Sequence, residues 1–105
     1  MASISTVPNI SNIALSGMNV AQTQLNASAH NIANLGTEGF RRKEVVQSAQ
    51  AGGGVTASIT RAPSEGAALE ADVVAQLQAK NAFLANLAVF KTSNKLAGAL
   101  LDKTA

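Results

Sequence analysis

Counting in sevens from Ile4 falls on Ser11, Met18, Leu25 and Ile32, and the companion series falls on Val7, Ala14, Ala21, Ser28 and Leu35. Apolar positions that alternate by three and four mark a helix packed along a narrow seam against another helix. Two serines interrupt the series, and small residues fill much of one seam. Pro8 suits a first helical turn, where its missing N–H leaves nothing unsatisfied, and Gly36 suits the position just past the helix end. The pattern predicts a helix from residue 8 to 35.

A second periodic stretch begins after Pro63-Ser64. Leu69, Val73, Leu77, Leu84, Leu87, Phe90, Ala97 and Leu101 recur at helical spacing, with Val74, Phe83 and Leu100 widening the stripe. Ser64 is placed to cap this helix, Glu65, Glu70 and Asp72 sit near its positive end, and Lys91, Lys95 and Lys103 fall toward its negative end. A helix over 67–102 is expected. Between the two helices the period is lost. Gly36, Gly39, Gly52-Gly53-Gly54, Pro63 and Gly66 punctuate short β-branched stretches, of which 47–50 and 55–60 have strand character, with Val55, Ala57 and Ile59 alternating with Thr56, Ser58 and Thr60. Either a short hairpin or a flexible connector satisfies that composition.

The expected fold is therefore all-α, with long N- and C-terminal helices folded back as an antiparallel coiled-coil hairpin and joined by a Gly-rich, partly β or disordered connector. The three parts are 1–35, 36–66 and 67–105. Each helix alone is marginal, and with three Phe, no Tyr and no Trp the shared core is narrow and Ala-rich. Further copies or partners are expected to complete it.

Charge changes the picture of the first helix. Residues 1–37 contain no Asp, Glu, Lys or Arg, and His30 is their one ionisable side chain; Asn12, Ser16, Asn19, Gln22, Asn26 and Asn31 occupy the polar face instead. A solvated helix normally carries charges there, so this face suits contact with protein. The net charge of +2 is small, and Arg41-Arg42-Lys43 is flanked by Glu38 and Glu44, which favours a solvated turn over nucleic-acid contact. No apolar run is long enough for a membrane span, and the amino end lacks the basic-then-apolar pattern of a cleaved signal. Polar faces without Lys and Arg also disfavour lipid-surface binding.

Candidate chemistry is sparse. There is no Cys, His30 has no carboxylate within a helical turn, and the three consecutive glycines are followed by neither Lys-Ser nor Lys-Thr. No catalytic, cofactor-binding or metal-binding residue is assigned, no cofactor is expected, and the chain is not expected to be an enzyme. Asn9-Ile10-Ser11 and Asn26-Ala27-Ser28 fit the glycosylation acceptor pattern, which arises by chance in a chain this rich in Asn and Ser.

The stretch from Ala14-Leu15-Ser16-Gly17-Met18-Asn19 through Ser28-Ala29-His30-Asn31-Ile32-Ala33-Asn34-Leu35-Gly36-Thr37-Glu38-Gly39-Phe40-Arg41-Arg42 resembles the N-terminal signature of the bacterial flagellar rod, hook and hook-associated axial family. Gln78-Ala79-Lys80-Asn81-Ala82-Phe83-Leu84-Ala85-Asn86, continuing to Leu100-Leu101, is similar to the family's end signature. The resemblance implies a self-assembling structural subunit whose terminal helices form the axial coiled-coil domain, with other rod or hook subunits and copies of itself as partners. It also implies passage through the flagellar type III export apparatus without signal cleavage, and a place in the periplasmic rod of the basal body. Assembly contacts are then expected at Met18, Ala21, Leu25, Asn31, Ile32, Asn34, Gly36, Gly39, Phe40, Leu77, Phe83, Leu84, Asn86, Leu87 and Phe90. Within that set, Asn31 and Asn34 read as helix-end residues able to adopt a left-handed backbone or bond terminal carbonyls, and Gly36 and Gly39 as a turn that lets Phe40 dock back. Family members usually have Asn where His30 stands, and most carry a far longer central region. A chain this short is closest to the small proximal rod proteins. The alternative is an adaptor or regulatory paralogue that binds axial subunits or export machinery without entering the rod.

Overall fold

In the computed structural model, which describes residues 2–104 and the side chains of residues 10–102, the elements follow the order α1 (Ala2–Ala33), β1 (Lys43–Ala49), β2 (Val55–Arg61) and α2 (Leu69–Thr104). Ile4, Val7, Asn9 and Lys103 lie outside the residues whose side chains are described. The helices run antiparallel: Asn31 bonds Asp72, Gly17 faces Asn86 and Ser11 meets Asn94, so positions descending α1 meet positions ascending α2. The body they form measures 62 × 23 × 15 Å, close to the length of one 36-residue helix at 1.5 Å per residue.

The expected α1 boundaries shift. The helix starts at Ala2, which places Pro8 inside it, where the backbone lacks the N–H that would bond the carbonyl of Ile4. It stops at Ala33, and the chain unwinds through turns in which the Asn34 N–H reaches the carbonyls of both His30 (3.2 Å) and Asn31 (3.3 Å) and the Leu35 N–H reaches that of Ile32 (3.2 Å). Gly36 is not the left-handed residue; Gly39 is, with φ of 73°. Among the described residues no non-glycine has positive φ, so neither Asn31 nor Asn34 adopts the left-handed backbone. The second helix likewise begins at Leu69, with the carbonyl of Ala68 accepting from the Asp72 N–H at 3.0 Å, and Ser64 stands too far upstream to cap it.

The connector is an antiparallel two-stranded hairpin, not a loose tether. Its register pairs Lys43 with Arg61, Val45 with Ile59 and Ala49 with Val55, and the first strand starts at Lys43, four residues earlier than its composition suggested. Both strands pack on α1, with Lys43, Val45, Val55 and Ala57 half-buried, while Ile59 stays exposed at the outer end of the same face.

On α1 the seam falls where the heptad places it: Ala14, Met18, Ala21 and Ser28 are buried and Leu25 and Ile32 half-buried. On α2 it does not. The face turned to α1 carries Asp72, Gln76, Ala79, Phe83, Asn86, Phe90, Ser93 and Ala97, alternating by four and three. Leu77 and Leu84 point away and are exposed, and Leu96 and Leu100 are exposed toward the end of the helix. Where small residues face small residues, the two backbones come close. At Gly17 an added Cβ would stand 2.7 Å from the side-chain oxygen of Asn86.

Candidate functional site

The densest polar cluster lies where α1, the hairpin and α2 meet. Asn31, in the last turns of α1, is 2% exposed. Its side-chain oxygen accepts from the Lys43 N–H (2.7 Å), and its amide nitrogen donates to the Lys43 carbonyl (2.9 Å) and to Asp72 Oδ1 (3.1 Å). The amide thus bonds the first strand residue as a neighbouring strand would, using both of its polar atoms. Asp72, also 2% exposed, receives a two-pronged contact from Arg42, with Nε donating to Oδ2 at 3.1 Å and the guanidinium NH2 donating to Oδ1. Burial alone would raise the Asp72 pKa, but the hydrogen bonds from Arg42 and Asn31 and the charge of Arg42 outweigh it and hold the carboxyl below its ordinary range. Among the described residues no buried side-chain polar atom lacks a partner.

One turn away, Gly39 reverses the chain so that Phe40 returns against His30, ring centres 5.4 Å apart and tilted by 50°. Asn34 closes the helix end by donating its side-chain amide to the His30 carbonyl at 2.8 Å. Burial, then the positive charges of Lys43 and Arg61, push the His30 pKa below its ordinary value. The unfolded chain therefore takes up this proton first as pH falls, and stability declines below about 6.5. A thermal melt repeated from pH 7.5 to 5.5 should show a falling midpoint that His30→Asn removes; an unchanged slope in the variant would exclude His30 as its source.

The hairpin tip has its own anchor. Gly53 and Gly54, with φ of 93° and 90°, bring the backbone onto Ile13 and Ser16, where the Val55 N–H donates to Ser16 Oγ (3.1 Å) and Ser16 donates to the Ile13 carbonyl (2.7 Å). Ser16→Ala should speed amide exchange at Val55 by about fivefold, the loss of one hydrogen bond of about 1 kcal/mol. Exchange unchanged at Val55 would mean that the tip is held by packing alone. Beside this anchor an open groove of about 300 Å³ runs between the tip and α2, lined by Gly17, Ala21, Gln47, Val55 and Asn86. No ionisable side chain lines it.

The residues expected at assembly contacts divide into two sets. Met18, Ala21 and Asn31 are buried within the chain, and Leu25, Ile32, Asn34, Phe40, Phe83, Asn86, Leu87 and Phe90 are half-buried. Gly36 and Gly39 are exposed at the helix-end turn, and Leu77 and Leu84 are exposed on the outer side of α2. Arg42, Asp72, Ser16 and Gly17, which hold the elements together, are not among the residues expected there. Asp72, Ala79, Asn86 and Ser93 do repeat every seven residues, a signal hidden from any reading that follows large apolar residues. Among the described residues no group of three or more His, Cys, Asp or Glu could hold a metal ion, and no helix is long and apolar enough to cross a membrane.

Residues 9–41 match the family model described as flagella basal body rod protein. The matched stretch covers most of α1, the helix-end turn, Gly39 and Phe40, and it ends beside Arg42. It supports the flagellar rod family, in line with the resemblance carried by the N-terminal signature. A comparison with curated proteins found no match.

Proposed function

We propose that this chain, whose residues 9–41 carry the flagellar basal body rod signature, is a structural subunit of the rod that assembles through its terminal helices. The match is the observation that carries the reading. A rod-type role places the chain at the basal body, among other axial subunits. Assembly with copies of itself, and delivery through the type III export apparatus, are the finer parts of the proposal.

Two physical features support it. The first 37 residues carry no formal charge beyond what His30 can acquire, so α1 enters a crowded protein environment without charged groups to desolvate. The second helix leaves Leu77, Leu84, Leu96 and Leu100 exposed, more aliphatic surface than a 105-residue monomer gains by displaying. A bundle whose larger side chains face outward is suited to be one layer of a larger assembly, with the intramolecular seam holding the shape of the layer.

Deletion of the gene, followed by electron microscopy of basal bodies and a swimming assay, tests the reading. Loss of the rod and of motility is expected, with both restored by the intact gene. Complete basal bodies with altered flagellar regulation would overturn the subunit reading in favour of an adaptor that binds axial subunits without entering the rod.

A further inference from the structure

On the outer side of α2, away from α1, one row repeats every seven residues: Glu70, Leu77, Leu84 and Lys91. All four are exposed, Leu77 at 57% and Leu84 at 51%. Residues seven apart lie almost in line along a helix, drifting by only about 20° at each step. Exposed Leu69, Val73 and Val74 widen the N-terminal half of the row into a patch. Both strands of the hairpin pack on α1 and neither packs on α2, so among the described residues no other element covers this surface. Among the described residues the one ion pair is Arg42–Asp72, which leaves Glu70 and Lys91 without a partner of opposite charge.

Read backwards, the row is its own complement. We propose that a second copy of this chain covers it, the two α2 helices lying antiparallel about a two-fold axis that passes between Lys80 and Asn81. In that register Leu77 of each copy packs against Leu84 of the other, and Glu70 of each faces Lys91 of the other. Val73 meets Leu87 on one side of the row, where Lys80 of each copy also flanks the axis, and Val74 meets Ala88 on the other side. The charges choose the direction. A parallel pair in register sets Glu70 against Glu70 and Lys91 against Lys91, placing repulsion at both ends of an otherwise favourable leucine contact. The antiparallel pair places attraction at both ends and closes on itself, so it is finite. The closed dimer and the open-ended contacts of the rod reading compete for Leu77 and Leu84, and sedimentation and the gene deletion test the two separately.

Sedimentation equilibrium of the full chain tests the proposal. A monomer–dimer equilibrium is expected, and Glu70→Lys or Lys91→Glu alone should raise the dimer Kd about tenfold by turning two attractive contacts into two repulsive ones. The two changes combined should return the Kd to within about twofold of the native value, since the pairs are rebuilt with their signs exchanged. The absence of cysteine allows a second measurement on the same protein. Under mild oxidation a mixture of Leu77→Cys and Leu84→Cys chains should cross-link, whereas Leu77→Cys alone should not, because the two copies of residue 77 stand about 10 Å apart along the axis. A chain that stays monomeric, a double charge exchange no tighter than either single change, or a Leu77→Cys chain that links to itself would each overturn the proposal.

Discussion

Asp72→Ala should lower folding stability by about 3 kcal/mol, measured as a fall in the urea midpoint with the slope unchanged. The carboxylate is buried and bonded by both Arg42 and Asn31, so its removal leaves the guanidinium without a counter-charge and Asn31 with one acceptor fewer. The Arg42 side chain is 22% exposed and can regain some water, which keeps the expected loss at the lower end of the range for a broken buried pair. Replacing both partners, as in Arg42→Met with Asp72→Leu, should recover most of the loss, because no uncompensated charge remains. A single variant within about 0.5 kcal/mol of the native protein would show that the cluster adds nothing to stability. The pH dependence has a definite sign. The folded carboxyl titrates below its ordinary value of 3.8, so its contribution is present in full above that pH and is lost as pH falls through the folded value. Acid should therefore destabilise the native protein more than the double variant.

Gly17→Ala should also destabilise, by about 1 to 2 kcal/mol, although alanine is the better helix former by about 1 kcal/mol. The new methyl would stand 2.7 Å from Oδ1 and 2.8 Å from Cγ of Asn86, so the Asn86 side chain must leave its place or the helices must separate. The amide of Asn86 is in turn bonded to the Ala82 carbonyl at 2.8 Å, which holds the side chain across the seam. In an Asn86→Ala background the obstacle is gone, and the same Gly17→Ala change should become stabilising. That reversal of sign separates a steric effect from a loss of backbone freedom. Urea unfolding of the four proteins in the cycle measures it, and destabilisation of equal size in both backgrounds would exclude the Gly17–Asn86 contact as its cause.

The two long helices and the seam of α1 were legible because large-scale periodicity is a local property of the chain: Ala14, Met18, Ala21 and Ser28 fall on the heptad and are buried. The seam of α2 was legible only at Phe83, Phe90 and Ala97. The aliphatic stripe through Leu77 and Leu84 is the stronger pattern, yet α1 presents so many small residues that the surface facing its closest approach must be small as well, and Asp72, Ala79, Asn86 and Ser93 supply it. Burial of Asp72 depends on Arg42, thirty positions away, and on Asn31, forty-one away, and no local window contains all three. The Asn31 reading failed for a related reason. Its amide has two uses near a helix end, and only the arrival of Lys43 decides between capping a carbonyl and pairing with a strand. A turn at Gly36 and Gly39 that lets Phe40 dock back needs only flexible residues beside an aromatic one, whereas its partner His30, and Gly39 alone as the left-handed residue, were not legible.

The hairpin also fixes where the chain can be lengthened. Ala49 and Val55 are cross-strand partners, so the backbone leaves the sheet and re-enters it within about 5 Å. Ala51 and Gly52 project beyond that exit, with open space around Gly52. Polypeptide spliced between them would leave the strand pairing in place, at the cost of the bond from the Gly53 N–H to the Gln50 carbonyl that spans the site. The tip is in effect a port: a whole domain grafted there would hang from a two-strand stalk, provided that Gly53 and Gly54 keep their seat on Ile13 and Ser16 and the Gln50 N–H keeps its bond to the Gly54 carbonyl.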